Sequence, residues 1–314
     1  MKLYTTIIAG ALAVSLTGCL KDKAPVIDPA ASHNVIEFAN TANLTSPTVS
    51  KYPLLSVNIV MDAPATYTAV VRYSGAFNAP EDIQVEVAVA DSAVIKFYNT
   101  QNARSYLVLP PTMFSLPQTK VTIKKGTRQV DLPITFTDPA QLYNKNYVLA
   151  LTIKSASSGI ISGNFGTMLY LLSGINRYDG VYVLKYRFGA NDRGYDLNAT
   201  SWFFADVQLV TTSTTNVTLR NLNAANPYPH AAMSNGIPTS IASFTPQFTF
   251  DLSNNKITNI SNSVAGAKTA VPNPAVTDNR IDLATKNVYA SFILKESGRA
   301  DMIINDTLVW KSPR

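Results

Sequence analysis

The side chains able to do chemistry are few, and they gather at two places. The first is Cys19, the single cysteine of 314 residues, so an internal disulfide framework and a multi-cysteine zinc site are both excluded. Its thiol follows Leu16-Thr17-Gly18, behind an almost uncharged, mostly apolar segment at 4–16 with Lys2 ahead of it. Small residues let the backbone enter a peptidase groove, and a thiol is the nucleophile that can take a diacylglycerol thioether. The apolar run is too short to span a bilayer, which needs ~20 such residues, and it reads as a secretory leader covering 1–18. Residues 19–34, with Lys21, Asp22, Lys23, Pro25 and Pro29, then read as a tether of no fixed structure.

The second place is a pair of loops in the C-terminal half. Tyr195 lies inside Asn191-Asp192-Arg193-Gly194-Tyr195-Asp196-Leu197-Asn198, Trp202 follows directly, and Tyr228 and His230 occupy a long Asn-, Pro- and Ala-rich connection at 221–243. Pyranose rings present C–H faces that stack on flat aromatics, and their hydroxyls need planar polar groups at the rim. If both loops share one end of a domain, Trp202, Tyr195 and Tyr228 form a platform ringed by Asp192, Arg193, Asn198 and His230. The competing reading makes Trp202-Phe203-Phe204 the start of a core strand. The oxygen-rich 191–198 stretch is faintly like a calcium loop, but it lacks the ligand spacing and closing glutamate of an EF-hand and reads as a turn.

Other chemistry is sparsely provided. His33 and His230 share no ligand spacing, and there is no Gly-x-Ser-x-Gly elbow. Glycoside hydrolysis needs two carboxylates facing one bond, and no spacing among the four glutamates (Glu37, Glu81, Glu86, Glu296) or the aspartates points to such a pair. The expectation is no catalytic residue, no metal and no cofactor. A formal net charge of +6 is spread thinly, its longest basic run being Lys124-Lys125, which argues against a nucleic-acid partner.

The elements that must hold these residues follow a period of two. Ile83, Val85, Val87 and Val89 alternate with polar or small residues, and 55–60, 66–73, 120–124, 130–136 and 147–153 read likewise. Turn chemistry at Asp62-Ala63-Pro64, Asn78-Ala79-Pro80 and Asp138-Pro139 separates them, and residues 91–99 read as a helical turn. Short strands at this spacing give an antiparallel sandwich or barrel rather than a parallel sheet, in one domain over 35–173. A second all-β unit, 174–314, opens at 180–188 and continues through 202–210, 216–220, 244–252, 256–260, 288–294 and 300–304, with Asn254-Asn255 as a hairpin turn. It reads as an antiparallel barrel, or as a second sandwich. Trp310, following an Asp306-Thr307 turn, reads as a core residue of the closing strand.

Three stretches carry a resemblance: the Leu16-Thr17-Gly18-Cys19 lipobox with its tether; Val121-Thr122-Ile123-Lys124-Lys125-Gly126-Thr127 through Tyr147-Val148-Leu149-Ala150-Leu151; and Asn176-Arg177-Tyr178-Asp179-Gly180-Val181-Tyr182. Together they resemble the two-domain surface lipoproteins of Bacteroidetes polysaccharide-utilisation loci, in the company of the SusE and SusF proteins. The resemblance implies an immunoglobulin-like, Calx-β-like N-terminal domain and a β C-terminal domain. It also implies a non-enzymatic role: glycan bound beside an outer-membrane importer by a protein held to the membrane through its lipid, facing outward rather than into the periplasm. The residues leave two other readings open, an adhesin or assembly subunit with Val35–Phe38 as its donor strand, and a glycoside hydrolase.

Overall fold

The computed structural model describes residues 33–39, 44–62, 64–189, 203–223, 225–234 and 237–314. The N-terminal unit contains Val35–Phe38 (β1), Leu54–Val60 (β2), Ala65–Ser74 (β3), Ile83–Val89 (β4), helix Ser92–Asn102 (α1), Leu107–Val108 (β5), Phe114–Ser115 (β6), Lys120–Ile123 (β7), Gln129–Phe136 (β8), Tyr147–Ala156 (β9), Ile160–Ile161 (β10) and Thr167–Ile175 (β11). They form two sheets, β10-β1-β3-β8-β6 and β2-β11-β9-β4-β7, with β5 added to β9. Alternation decides which side chains meet between the sheets: Ile83, Val85 and Val87 of β4 point inward while Gln84 and Glu86 face out. Phe38, Val71, Leu132, Phe136, Leu151 and Tyr170 complete this core.

β9 is buried on both faces, and α1 is the reason. Leu149 and Leu151 enter the sandwich core, whereas Val148 and Ala150 lie under Ile95 and Tyr98 of the helix. The helix begins where the sequence provides a cap: the Asp91 carboxylate accepts a hydrogen bond from the Ala93 amide at 2.7 Å. It ends at Ala103 in the left-handed conformation, φ 49°. Most pairings are antiparallel, as the sequence leads one to expect, but β2 and β11 run parallel, as do β1 with β10 and β5 with β9. β2 reaches β11 because it is the opening strand of its sheet, laid against the last. Val35–Phe38 is flanked on both sides by strands of its own chain, β3 and β10.

The C-terminal unit runs Gly180–Phe188 (β12), Phe203–Thr211 (β13), Asn216–Asn221 (β14), Ala231–Ser234 (β15), Ile237–Ser240 (β16), Pro246–Asp251 (β17), Lys256–Asn262 (β18), Lys268–Pro272 (β19), Arg280–Asp282 (β20), Asn287–Glu296 (β21) and Met302–Ser312 (β22). Pairing goes β12-β13-β14-β17-β18-β20-β21-β22 and returns from β22 to β12, closing an eight-stranded antiparallel barrel, so the barrel reading holds over a second sandwich. Eight strands leave an interior that side chains fill. Tyr182, Leu184, Tyr186 and Phe188 of β12, Phe248 and Phe250 of β17, and Phe292 and Leu294 of β21 fill it here.

Two local expectations change, and two short strands stand where the sequence reading placed none. The 221–243 connection carries its own hairpin, β15 with β16, and Ala232 and Ile241 from this stretch are buried in the barrel core. Asp306-Thr307 is no turn: both residues lie within the eleven-residue β22. Residues 268–272 and 280–282 are two halves of one interrupted strand, each paired with β21. Trp310 does pack as expected, against Tyr182 at 5.2 Å between ring centres; it is half-buried, with the Lys286 ammonium 4.4 Å above the ring centre.

The two units meet through a short, fully tied segment. The Met61 amide bonds to the Ile175 carbonyl at 2.8 Å, and Arg177 forms an ion pair with Asp62 at 2.7 Å. Asp179 accepts from the Thr211 amide and hydroxyl, at 2.8 and 2.6 Å, and from the Arg314 guanidinium at 2.9 and 3.0 Å. The Tyr178 hydroxyl donates to Asn255 at 2.8 Å, which ties this segment to the Asn254-Asn255 turn expected from sequence; Asn255 takes the left-handed conformation there, φ 60°.

Candidate functional site

The up-and-down order of the barrel places the ends of β12 and β14 and the starts of β13 and β17 at the same end. Phe188, Phe203, Asn221 and Pro246 are the strand termini at that end, and the β15–β16 hairpin connection touches β12 directly: the Tyr186 hydroxyl donates to the Ala231 carbonyl at 2.8 Å. Of the proposed platform, Asp192, Arg193, Tyr195, Asn198 and Trp202 lie outside the described residues, as does Cys19. Tyr228 is half-buried, its amide bonded to the Asn226 side chain at 3.3 Å.

His230 is not at a rim. It is fully enclosed, its Nε2 lying 3.0 and 3.1 Å from the two carboxylate oxygens of Asp306. Tyr186, Phe244 and Phe292 pack around the imidazole with ring centres at 5.0, 5.8 and 6.0 Å. A buried carboxylate requires a partner, and His230 supplies it from the connection that crosses the barrel mouth. The Tyr186 phenol is pushed well above its ordinary value, first by burial and then by the Asp306 charge. This pair fastens the hairpin to the wall and has no atom facing solvent.

Polar groups gather instead on the outer wall. On β12 the outward positions become charged toward the loop end, with Lys185 and Arg187 exposed between inward Leu184, Tyr186 and Phe188. Register sets their neighbours: Lys185 stands beside Phe204 on β13 and Thr307 on β22, and Thr307 beside Tyr289 on β21. In the next row Arg187 stands beside Asn305, and Asn305 beside Ser291.

The interrupted β19–β20 strand shapes this wall into a cleft. Residues 273–279 leave the sheet and are held by Ser291. Asn273 donates to its hydroxyl at 3.0 Å, while Asn279 donates to its carbonyl at 3.1 Å and accepts from its amide at 2.7 Å. The Ser291 hydroxyl in turn donates to Asn305 at 2.8 Å. The resulting cleft, about 210 Å³, is bordered by Arg187, Asp278, Asn279, Tyr289, Asn305 and Thr307. Asp278 is ion-paired with Arg280, whose guanidinium lies 5.2 Å from the Tyr289 ring centre. An aromatic ring, the Asn305 amide, a hydroxyl and a guanidinium around one recess can receive a ligand that offers both C–H faces and hydroxyl groups.

Sequence reasoning passed over this recess. The alternation of Lys185 and Arg187 with buried aromatics was legible, but which residues of β21 and β22 lie beside them is set by register across more than a hundred residues. A second cleft, about 330 Å³, lies at the domain junction between Asn58, Tyr143, Asn144, Thr211 and Arg314. Among the described residues no three His, Cys, Asp or Glu side chains gather as a metal site would require.

Comparison with known proteins bears on the fold. A family model described as "-like, N-terminal domain" matches residues 38–160, within the sandwich. No curated protein matches the chain. A structure of unknown function from Bacteroides ovatus, 11% identical, covers 89% of this chain and 95% of its own, with a TM-score of 0.52. An auxiliary nutrient binding protein from Bacteroides thetaiotaomicron, 14% identical, covers 83% and 91% with a TM-score of 0.40. A candidate carbohydrate binding protein from Bacteroides ovatus, also 14% identical, covers 89% and 98% with a TM-score of 0.35. The first of these shows a Bacteroides ovatus chain that shares the fold over most of the length of both chains.

Proposed function

We propose that the chain is a non-catalytic envelope lipoprotein that binds glycan for a polysaccharide uptake system, held to the outer membrane through Cys19 and working beside an importer. The observation that carries this reading is the barrel-wall cleft, where Tyr289 stands among Arg187, Asn305 and Thr307. Stacking surface and planar polar groups within one recess are what sugar recognition needs. A hydrolase would bring two free carboxylates to one bond. In this cleft Asp278 is tied to Arg280, and the Asp306 carboxylate faces His230 inside the barrel. A donor-strand subunit would leave an edge strand to exchange, and Val35–Phe38 is paired on both sides.

The leader, the small residues before Cys19 and the tether that follows supply the anchor in this reading. Two measurements test it together. Labelled palmitate fed to expressing cells is expected in the protein and absent from the Cys19→Ala variant. The detergent-solubilised full chain is expected to retain at least one polysaccharide on a glycan array. Lack of label in the parent protein overturns the anchor, and lack of retention across a broad array overturns glycan binding.

A further inference from the structure

We propose that the recess at the domain junction is a second ligand site, taking a short neutral saccharide of one or two rings that touches both units. It shares no lining residue with the barrel-wall cleft, so the two assignments stand or fall separately. Its volume of about 330 Å³ lies at the lower end of the range for ligand pockets, and such pockets favour domain interfaces.

Two backbone devices build the N-terminal side. The chain turns through Pro139–Leu142 and comes to rest against the end of β11. A Cβ on Gly174 would stand 2.9 Å from the Tyr143 amide nitrogen and 3.1 Å from the Leu142 carbonyl carbon, so a glycine lets the loop approach this closely. Asn144 then takes the left-handed conformation, φ 54°, which asparagine adopts more readily than most residues. Beside this loop Asn58 and Ser173 stand next to each other in the parallel register of β2 and β11. The barrel contributes Thr211 and Arg314, and one buried carboxylate positions both. Asp179 accepts from the Thr211 hydroxyl at 2.6 Å and from Nε and Nη2 of Arg314 at 2.9 and 3.0 Å.

The polar groups around the recess are mostly open. Among the described residues the side chains of Tyr143, Asn144, Lys145, Asn146 and Ser173 make no hydrogen bond or ion pair. Asn58 gives one N–H to the Arg314 carbonyl at 3.3 Å. A carboxamide offers donor and acceptor together, and a hydroxyl does the same. Adjacent sugar hydroxyls, which both give and take, answer that pattern. The Arg314 charge is taken up by Asp179, and no Asp or Glu side chain borders the recess. One ammonium, Lys145, is left uncommitted, which is too little to select a polyanion. Tyr143, half-buried at the border, supplies an aromatic face for a sugar ring.

The test titrates the detergent-solubilised full chain calorimetrically with maltose, cellobiose, mannobiose and N,N′-diacetylchitobiose. Binding of at least one is expected. Asn144→Gly keeps the left-handed backbone while removing the carboxamide, and Asn58→Ala removes a second one. Each is expected to weaken binding about tenfold, the scale of one hydrogen bond, with a melting temperature close to the parent's. The bound disaccharide should slow amide exchange both at 143–146 and around Thr211.

Absence of binding by all four disaccharides overturns the junction site and leaves polysaccharide retention by the barrel wall standing. Parental affinity in both variants overturns it too, as does slowed exchange confined to one unit, since the sugar then sits elsewhere. Disaccharide binding with these losses, in a chain that retains no polysaccharide, keeps the junction site and overturns the wall assignment.

Discussion

His230 and Asp306 lie 76 residues apart in the chain and meet inside the barrel, the imidazole Nε2 contacting both carboxylate oxygens at 3.0 and 3.1 Å. Both side chains are sealed from solvent. The contact fastens the connection that crosses the barrel mouth to β22, the strand that also forms part of the outer wall. Removing one member leaves the other buried and unpaired, which typically costs about 3–5 kcal/mol. His230→Ala is expected to lose stability of that order in urea unfolding, and Asp306→Asn less, since an amide can still bond to the ring. A His230→Ala midpoint equal to that of the parent would contradict the pairing.

Gly180 opens β12, and a Cβ there would collide with the six-membered ring of Trp310. Gly180→Ala is therefore expected to cost about 1–3 kcal/mol, as overpacking does. Shrinking the indole in the double variant with Trp310→Leu should return part of that loss. Calorimetry of the two variants checks it; an unchanged melting temperature in Gly180→Ala would show that the ring does not cover the glycine.

Three buried phenols set an alkaline limit. Tyr170, Tyr182 and Tyr186 are all held above the ordinary tyrosine value of 10.0. Burial is the first cause in each case; the charges of Asp179 and Asp306 add to it for Tyr182 and Tyr186, and the neighbouring Tyr67 for Tyr170. A folded-state value raised above the unfolded one gives stability that is complete below the unfolded value and lost as pH rises through the folded one. Unfolding free energy should therefore fall from about pH 10 upward. Absorbance at the phenolate band is expected to show these three ionising only as the chain unfolds. Full phenol ionisation with native circular dichroism intact would refute the burial argument.

The first turn of α1 depends on Asp91. Asp91→Ala leaves the Ala93 amide without its acceptor and is expected to cost about 1 kcal/mol, whereas Asp91→Ser should retain most of the cap. Denaturant midpoints of the two variants, compared with the parent, decide it.

Local rules carried the architecture a long way. The period-two runs became strands, Asp91 begins a helix, and Asn254-Asn255 turns between β17 and β18, because each depends on neighbours a few residues away. The failures share another cause. Asp306-Thr307 has the composition of a turn, and only His230, far off in sequence, makes an aspartate tolerable inside the barrel. The 221–243 stretch has the composition of a loop, yet Ala232 and Ile241 find burial in a barrel mouth that sequence cannot show. The wall cleft was missed for the same reason. Arg187, Asn305 and Tyr289 come from three strands, and their adjacency exists only once the barrel closes. Of the expected platform, Trp202, Tyr195, Asp192, Arg193 and Asn198 lie outside the described residues, Tyr228 is half-buried, and His230 proved to be a core residue.

The most direct test of the account is glycan retention by the Tyr289→Ala variant in affinity electrophoresis, using whichever polysaccharide the parent chain retains. Loss of the ring removes the stacking face of the cleft without touching the interior, so the account predicts lost retention at an unchanged melting temperature. Retention equal to the parent's would place any glycan contact elsewhere and contradict the assignment of the barrel wall.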